Sequence, residues 1–322
     1  MSRAVFVYEC GGAEVLKFDT NELSHPKSGS VLIDVAASGV NFIDIYMRTG
    51  LYPRELPFVV GLEGAGTVRE CGDGTNLSAG DRVAWAGVPG SYAESIIAPA
   101  DKLIRIPDGV SDEDAAAVML QGMTAHYLAH TIYEPKQDGT VLVHAAAGGV
   151  GLLLVQMLSS AGVRVIGTCS TKEKAILVRE AGAKDVVLYG DGNFSDEVRS
   201  LTNGVGVDVV YDSVGQATFE NSLRSLRRRG LAVAFGQSSG PIAPLDLLRL
   251  SEIGSLFVTR PTLGDYTQDR AELEYRAGAV FQAISSHKLK IRIGARFPLQ
   301  DAASAHNALA GRGTTGKVLL KP

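Results

Sequence analysis

The chain has 322 residues, 45% hydrophobic and 20% charged, enough for two domains with substantial cores. Its formal net charge of −4 argues against a chain built chiefly to bind nucleic acid, and no run of about 18 apolar residues exists to cross a membrane. Three scattered cysteines, Cys10, Cys71 and Cys169, offer no paired framework and fit a reducing, cytoplasmic setting.

The opening MSRAVFVYECGG reads as a first β-strand, not as a signal peptide. Up to about residue 120, short β-branched runs (SVLIDVAAS, AGTVREC, DRVAWAG, SYAESIIA) alternate with Gly and Pro, the pattern of a strand-rich domain. Ser111 followed three residues later by Asp114 has capping-box spacing and predicts a helix that continues through QGMTAHYLAHTI. From about residue 140 the rhythm changes. Six apolar runs, TVLVHA, VRVIGT, DVVLY, VDVVYDS, LAVAFG and SLFVT, are spaced by crossover-length segments and predict a parallel, doubly wound sheet. The basic run Arg227-Arg228-Arg229 reads as a solvated helix end before the fifth strand. A longer helix over 266–286, a short helix after Pro298 and a last strand, GKVLL, are too few to bury a core alone and are expected to complete the first domain.

TVLVHAAAGGVGLLLVQML is a strand, a glycine turn and a helix in succession. On the G-x-G-x-x-G fingerprint it reads Ala146, Ala147, Gly148, Gly149, Val150, Gly151. Small residues let the backbone approach a pyrophosphate, and the helix N-terminus offers free N–H groups and partial positive charge. The bland reading is a tight turn with no ligand. Its place at the first of six βα units favours a dinucleotide. About 20 residues beyond such a turn, an Asp or Glu ordinarily binds the ribose hydroxyls of NAD. Here residues 168–172 are Thr-Cys-Ser-Thr-Lys, with no acid before Glu173. The hydroxyls of Ser170 and Thr171 and the ammonium of Lys174 suit the extra phosphate of NADPH, against the plainer reading of a solvated helix cap.

With these segments in view, the chain resembles the zinc-independent medium-chain dehydrogenases/reductases, and within them the NADPH:quinone oxidoreductases related to zeta-crystallin. The resemblance rests on EVLKF, VNFIDIYMRTGLYP (40–53), GLEGAGTV (61–68), HAAAGGVG (144–151), VVYDSVG (209–215) and GSLFVTRPTL (254–263), and covers nearly the whole chain. It implies an α/β fold: a GroES-like catalytic domain over 1–122 and 265–322, and a Rossmann NADPH-binding domain over 123–264. It also implies an active site in the cleft between them and a homodimer pairing through SLFVT.

For the cofactor, the resemblance implies Asn41, Phe42, Ile43, Asp44, Tyr46 and Tyr127 near the nicotinamide, and Gly149 and Val150, within the Gly148–Gly151 turn, at the pyrophosphate. Ser170, Lys174 and Tyr189 would surround the 2′-phosphate. Ser213 would line the dinucleotide cleft. Phe235, Gly236, Gln237, Ser238, Thr259, Pro261 and Leu263 would line the nicotinamide half, with Arg312 reaching in from the C-terminal tail. Ser170, Gln237 and Lys317 depart from relatives that carry glycine, asparagine and serine there.

Zinc-dependent members of the superfamily carry a cysteine around the position of Ser38 or Gly39 and a histidine in GHE. This chain has ASGVNF and Gly61-Leu62-Glu63, and its three cysteines cannot form a four-cysteine lobe. His126 and His130 stand four apart on a helix, but Tyr-Leu-Ala between them supplies no acid. No metal is expected. A quinone accepts hydride into a delocalised product and needs less help than a simple ketone. Asn41 and Tyr46 are the candidates to hydrogen-bond a substrate carbonyl, Tyr52 to stack on the ring, and Arg260 to orient a quinone oxygen or cofactor phosphate. The expected activity is therefore NADPH-dependent quinone reduction. An enone or enoyl-thioester reductase is the alternative within enzymes, and an RNA-binding or structural crystallin-like role the alternative outside them.

Overall fold

In the N-terminal part of the chain the β-branched runs become strands: β1 (Ser2–Val7), β2 (Leu16–Asn21) and β3 (Ser30–Val40). A short helix α1 (Phe42–Arg48) follows, then β4 (Phe58–Val59), β5 (Glu63–Cys71), β6 (Arg82–Ala86), β7 (Ser95–Pro99) and β8 (Ile104–Arg105). Helix α2 (Asp112–Tyr127) starts where the Ser111 hydroxyl accepts the Asp114 N–H at 3.0 Å. The computed structural model describes residues 2–134, 136–189 and 193–322. It divides into two units, Met1–Met123 with Thr267–Pro322, and Thr124–Tyr266.

The second unit holds the six expected strands. They are β9 (Thr140–Val143), β10 (Arg164–Cys169), β11 (Asp185–Leu188), β12 (Val207–Asp212), β13 (Leu226–Ala234) and β14 (Phe257–Thr259). Between them run α3 (Gly149–Ser160), α4 (Lys172–Glu180), α5 (Phe194–Leu201), α6 (Phe219–Ser225) and α7 (Leu247–Ile253). The strands pair in parallel in the order β11-β10-β9-β12-β13-β14, the doubly wound order with its switch between β9 and β12. Leu142, Ile166, Val187, Val210 and Ala232 are fully buried against Phe194, Phe219 and Leu223 from the helices. Both faces of the sheet are covered, which is why these strands read as continuous apolar runs.

One expectation is corrected here. Arg227-Arg228-Arg229 is not a helix end: α6 stops at Ser225 and the run opens β13. Arg227 is bound to Asp208 of β12 at 2.6 Å, and the pairing register shifts between Val207 and Val209, so polar residues are accommodated at an irregular strand start.

The chain then returns to the first unit with α8 (Arg270–Ser285), β15 (Ile293–Pro298), α9 (Ala302–Ala310) and β16 (Lys317–Lys321). Helix α8 starts later than position 266 because Asp269 caps it, accepting the Glu272 N–H at 2.8 Å. Strand β16 joins the seven-stranded sheet beside β3, with Val318 opposite Val40, and β3 pairs β5 with Ser38 opposite Gly64. These registers bring Lys317, Asn41 and Glu63 together.

Candidate active site

The glycine turn of the second unit has the form a dinucleotide phosphate requires. Gly148 is the N-cap of α3 and Gly149 its first residue, so the first-turn N–H groups point out of the helix end. A Cβ on Gly151 would lie 2.5 Å from the Ala145 carbonyl oxygen, so only glycine lets α3 start this close to β9. At the end of β10, Thr171 caps α4 by accepting the Lys174 N–H at 3.3 Å, and its hydroxyl donates to the Glu173 carboxylate. Ser170 beside it is exposed. The Tyr189 hydroxyl, by contrast, is turned inward onto Thr168, His144 and the Ala145 N–H.

The other predicted cofactor residues of this unit lie at the C-terminal ends of the same strands, where ligands of doubly wound sheets bind. Ser213 follows β12, and its carbonyl accepts the Ser238 N–H at 3.1 Å, tying that loop to Phe235–Ser238 after β13. Thr259 ends β14, with Pro261 and Leu263 just beyond it. Arg260 donates to the Ala234 carbonyl at 2.7 Å, a main-chain tie between these strand ends. Tyr127 is buried and stacks on Tyr266 with ring centroids 4.2 Å apart.

In the first unit, Asn41 caps α1, and its N–H donates to the Asp44 carboxylate at 2.9 Å. Both faces of the Asn41 amide are engaged. Its Oδ1 accepts from Lys317 Nζ at 2.9 Å and from Gln121 Nε2 at 3.2 Å; its Nδ2 donates to Glu63 at 2.8 Å and to the Gly39 carbonyl at 3.3 Å. Glu63, fully buried, also accepts the Leu120 N–H at 2.6 Å and forms an ion pair with the buried Lys317 ammonium. A Cβ on Gly39 would lie 2.2 Å from a Glu63 oxygen, so glycine makes room for this carboxylate. Phe42, Tyr46 and Tyr52 form an aromatic row beside the cluster, with Tyr46 and Tyr52 edge-to-face at 5.3 Å. Ile43 is half-buried on the same helix, and Arg312 sits exposed just past α9.

A second buried chain runs away from Asp44. Tyr92 donates its hydroxyl to Asp44 at 2.9 Å and lies 3.2 Å from His306 Nε2; His306 Nδ1 in turn faces Arg48 Nη1 at 3.1 Å. Arg48 can only donate, so His306 carries its proton on Nε2 and is neutral. Burial, with the Arg48 charge, pushes His306 from 6.5 down to about 3. Burial pushes Asp44 from 3.8 up to about 7, against the Asn41 N–H, the Tyr92 hydroxyl and the Lys317 charge. Its Oδ1 has no hydrogen-bond partner among the described residues, which favours a proton there.

These two groups set opposing pH slopes. Asp44 contributes stability that is full below pH 3.8 and lost as pH rises through about 7; His306 contributes stability that is full above pH 6.5 and lost as pH falls through about 3. Each slope is about 1.4 kcal/mol per pH unit, and over the shared window they cancel. Asp44→Asn should therefore lose stability on acidification from pH 6.5, and His306→Gln on raising pH from 3.8. Melting temperatures measured across this range check it; profiles parallel to wild type in both variants would refute the two assignments.

The cluster does not suit a catalytic zinc. Glu63 is beside an amide, Asn41, and an ammonium, Lys317, with neither thiolate nor imidazole to complete a ligand set. The Lys317 charge supplies the cation that this carboxylate requires. The sequence marks Lys317 only as a departure from relatives that carry serine and Glu63 only within Gly61-Leu62-Glu63, and it does not mark Gln121, Tyr92, His306 or Arg48 as site residues. The one available signal was a lysine opening an otherwise apolar last strand.

Fold and turn together define the class: an oxidoreductase architecture with a doubly wound dinucleotide unit and a strand-rich companion. Comparison with known families agrees. The alcohol dehydrogenase GroES-like domain matches residues 27–108 and the zinc-binding dehydrogenase model residues 149–272. The chain is 44% identical to the quinone oxidoreductase of Pseudomonas aeruginosa over the full length of both proteins. It superposes on the mycobacterial protein Rv1454c complexed with NADPH with a TM-score of 0.97, at 47% identity over 99% of this chain and 100% of the other. The Escherichia coli quinone oxidoreductase complexed with NADPH gives a TM-score of 0.97 at 41% identity, with both chains fully covered. The chain belongs to the quinone oxidoreductase family of the medium-chain dehydrogenases/reductases.

Proposed function

We propose that the protein reduces quinones with NADPH and without a metal, in the cytoplasm. The end of β10 carries this reading: Ser170, the Thr171 hydroxyl and Lys174 stand where a carboxylate would repel a 2′-phosphate. Two solved relatives, from Escherichia coli and a mycobacterium, are complexed with NADPH. Gly148–Gly151 would hold the pyrophosphate, and the strand-end residues Ser213, Phe235–Ser238, Thr259, Pro261 and Leu263 would line the dinucleotide, with Arg312 contributing from the first unit. Tyr127 would pack near the nicotinamide, as would the Asn41–Tyr46 segment. When bound, NADPH supplies the hydride.

The chain's own part is to bind and orient. Because the Asn41 amide is held by four partners, its role in this reading is to fix the start of α1, the helix that carries Tyr46. Tyr46 would donate to the quinone carbonyl and Tyr52 pack on its ring, with Arg260 at the strand ends orienting an oxygen. Tyr46→Phe is then expected to lower kcat/KM for quinones several-fold, with NADPH affinity kept. Steady-state kinetics test this, and wild-type values of both kcat and KM would remove Tyr46 from the role. Turnover of a para-quinone panel against α,β-unsaturated ketones tests the substrate class. Rates on the enones far above those on quinones would move the assignment to an enone reductase.

The reading includes a homodimer. Strand β14 is an edge of the six-stranded sheet, and Phe257 and Val258 on it are 62% and 37% exposed, an apolar strip suited to the same strip of a second copy. Light scattering should give twice the 33.9 kDa chain mass, and a monomer at micromolar concentration would contradict the pairing.

A further inference from the structure

The Gly148–Gly151 turn is preceded by a residue in an unfavourable conformation. Ala145 has φ 47°, the left-handed region that residues with a Cβ avoid. Such a conformation persists only where surrounding bonds fix it. The Ala145 carbonyl accepts the Gly148 N–H at 2.8 Å, and Ala146 N–H donates to the Thr168 carbonyl at 2.9 Å. The Ala145 N–H itself donates to the Tyr189 hydroxyl at 3.2 Å.

Tyr189 does not hold that position alone. Its hydroxyl is 2.6 Å from Thr168 Oγ1 and 2.9 Å from Nδ1 of His144, a side chain only 1% exposed. On the other side of the ring, His144 Nε2 is 3.0 Å from Ser222 Oγ, which is 2.7 Å from Asp212 Oδ2. Asp212 also accepts the Val214 and Gly215 N–H groups at 2.8 and 2.9 Å, fixing the loop after β12.

Asp212 can only accept, so Ser222 donates to it and accepts from His144 Nε2–H. His144 Nδ1 is then a lone pair facing two hydroxyls, Tyr189 and Thr168, each at 2.9 Å, which are also bonded to each other. One of the two donates to His144, and in either arrangement the Tyr189 oxygen accepts the Ala145 N–H. The chain links loops at the C-terminal ends of β9, β10, β11 and β12.

We propose that His144 is a positioning residue for the cofactor: through Tyr189 it holds Ala145, and with it the phosphate turn, in the conformation that binds the dinucleotide pyrophosphate. The proposal rests on the reading of this turn as a dinucleotide site. It gives Tyr189 a structural route to the cofactor, through the turn both dinucleotides share, instead of a hydroxyl contact to the 2′-phosphate.

The test is the dissociation constant of NADPH and of NADH, by titration calorimetry, for wild type, His144→Gln, Tyr189→Phe and the double variant. Each single change is expected to weaken both dinucleotides about tenfold, with their ratio unchanged. Since the two residues act in one chain, the double variant should also lose about tenfold, not a hundredfold. Tyr189→Phe keeps the ring and carries the comparison if His144→Gln does not fold. A loss confined to NADPH would place Tyr189 on the 2′-phosphate and overturn the proposal, as would additive losses or unchanged affinities. Failure of wild type to bind either dinucleotide would overturn the functional reading itself.

Discussion

Lys317→Met is expected to destabilise the first unit by roughly 3–5 kcal/mol, the usual consequence of leaving one partner of a buried ion pair behind. Lys317 and Glu63 are both buried in one cluster, and after the change the carboxylate would keep only the neutral donors Leu120 N–H and Asn41 Nδ2–H. Asn41 would also lose one of the two donors to its Oδ1, leaving only Gln121. The double variant Lys317→Met/Glu63→Gln removes both charges and should recover most of the loss, because a buried ion pair adds little over a neutral pair of similar volume. Denaturant unfolding of the four proteins measures the cycle. Lys317→Met at wild-type stability would mean that the ion pair is not formed in solution.

The second large effect concerns cofactor choice. Lys174→Glu places a carboxylate on the first turn of α4, next to Thr171 and Ser170. A charge-assisted hydrogen bond contributes about 1.5–3 kcal/mol, so its loss alone should lower kcat/KM for NADPH by about 10- to 100-fold. Like-charge repulsion adds to that. NADH, which has no 2′-phosphate, should be affected little. Steady-state kinetics with each dinucleotide measure the change in ratio. Equal losses on both would show that Lys174 supports α4 and does not read the phosphate.

How much of the fold is legible in the sequence depends on what each element needs. The six parallel strands were legible because a sheet covered on both faces requires unbroken apolar runs, and each run became a strand. The turn was legible for a similar local reason: Gly151 admits no Cβ, and a glycine pattern records that directly. The start of β13 was not legible. Arg227-Arg228-Arg229 has no strand period, and only the pairing of the flanking Leu226 and Leu231 with β12, together with the Arg227–Asp208 contact, places it in β13.

The buried polar cluster was hidden for a different reason. Lys317 stands out in the sequence only as a departure from relatives, Glu63 only within Gly61-Leu62-Glu63, Asp44 only as one residue of the Asn41–Tyr46 segment, and Arg48 and His306 carry no site signal. Glu63, Lys317 and Asn41 meet because β16 registers against β3 and β3 against β5. Register is a long-range property, and local composition does not encode it. His144 was in plain view within HAAAGGVG, but its partners Thr168, Tyr189 and Ser222 come from β10, the segment after β11 and α6.

The most direct test of the account is NADPH and NADH oxidation measured side by side on the wild-type protein with one para-quinone. The account predicts rapid turnover with NADPH and a kcat/KM for NADH lower by about tenfold or more, a gap of at least about 1.4 kcal/mol. Turnover with NADH equal to or above that with NADPH would contradict the assignment of Ser170, Thr171 and Lys174, and absence of quinone turnover with either would contradict the activity.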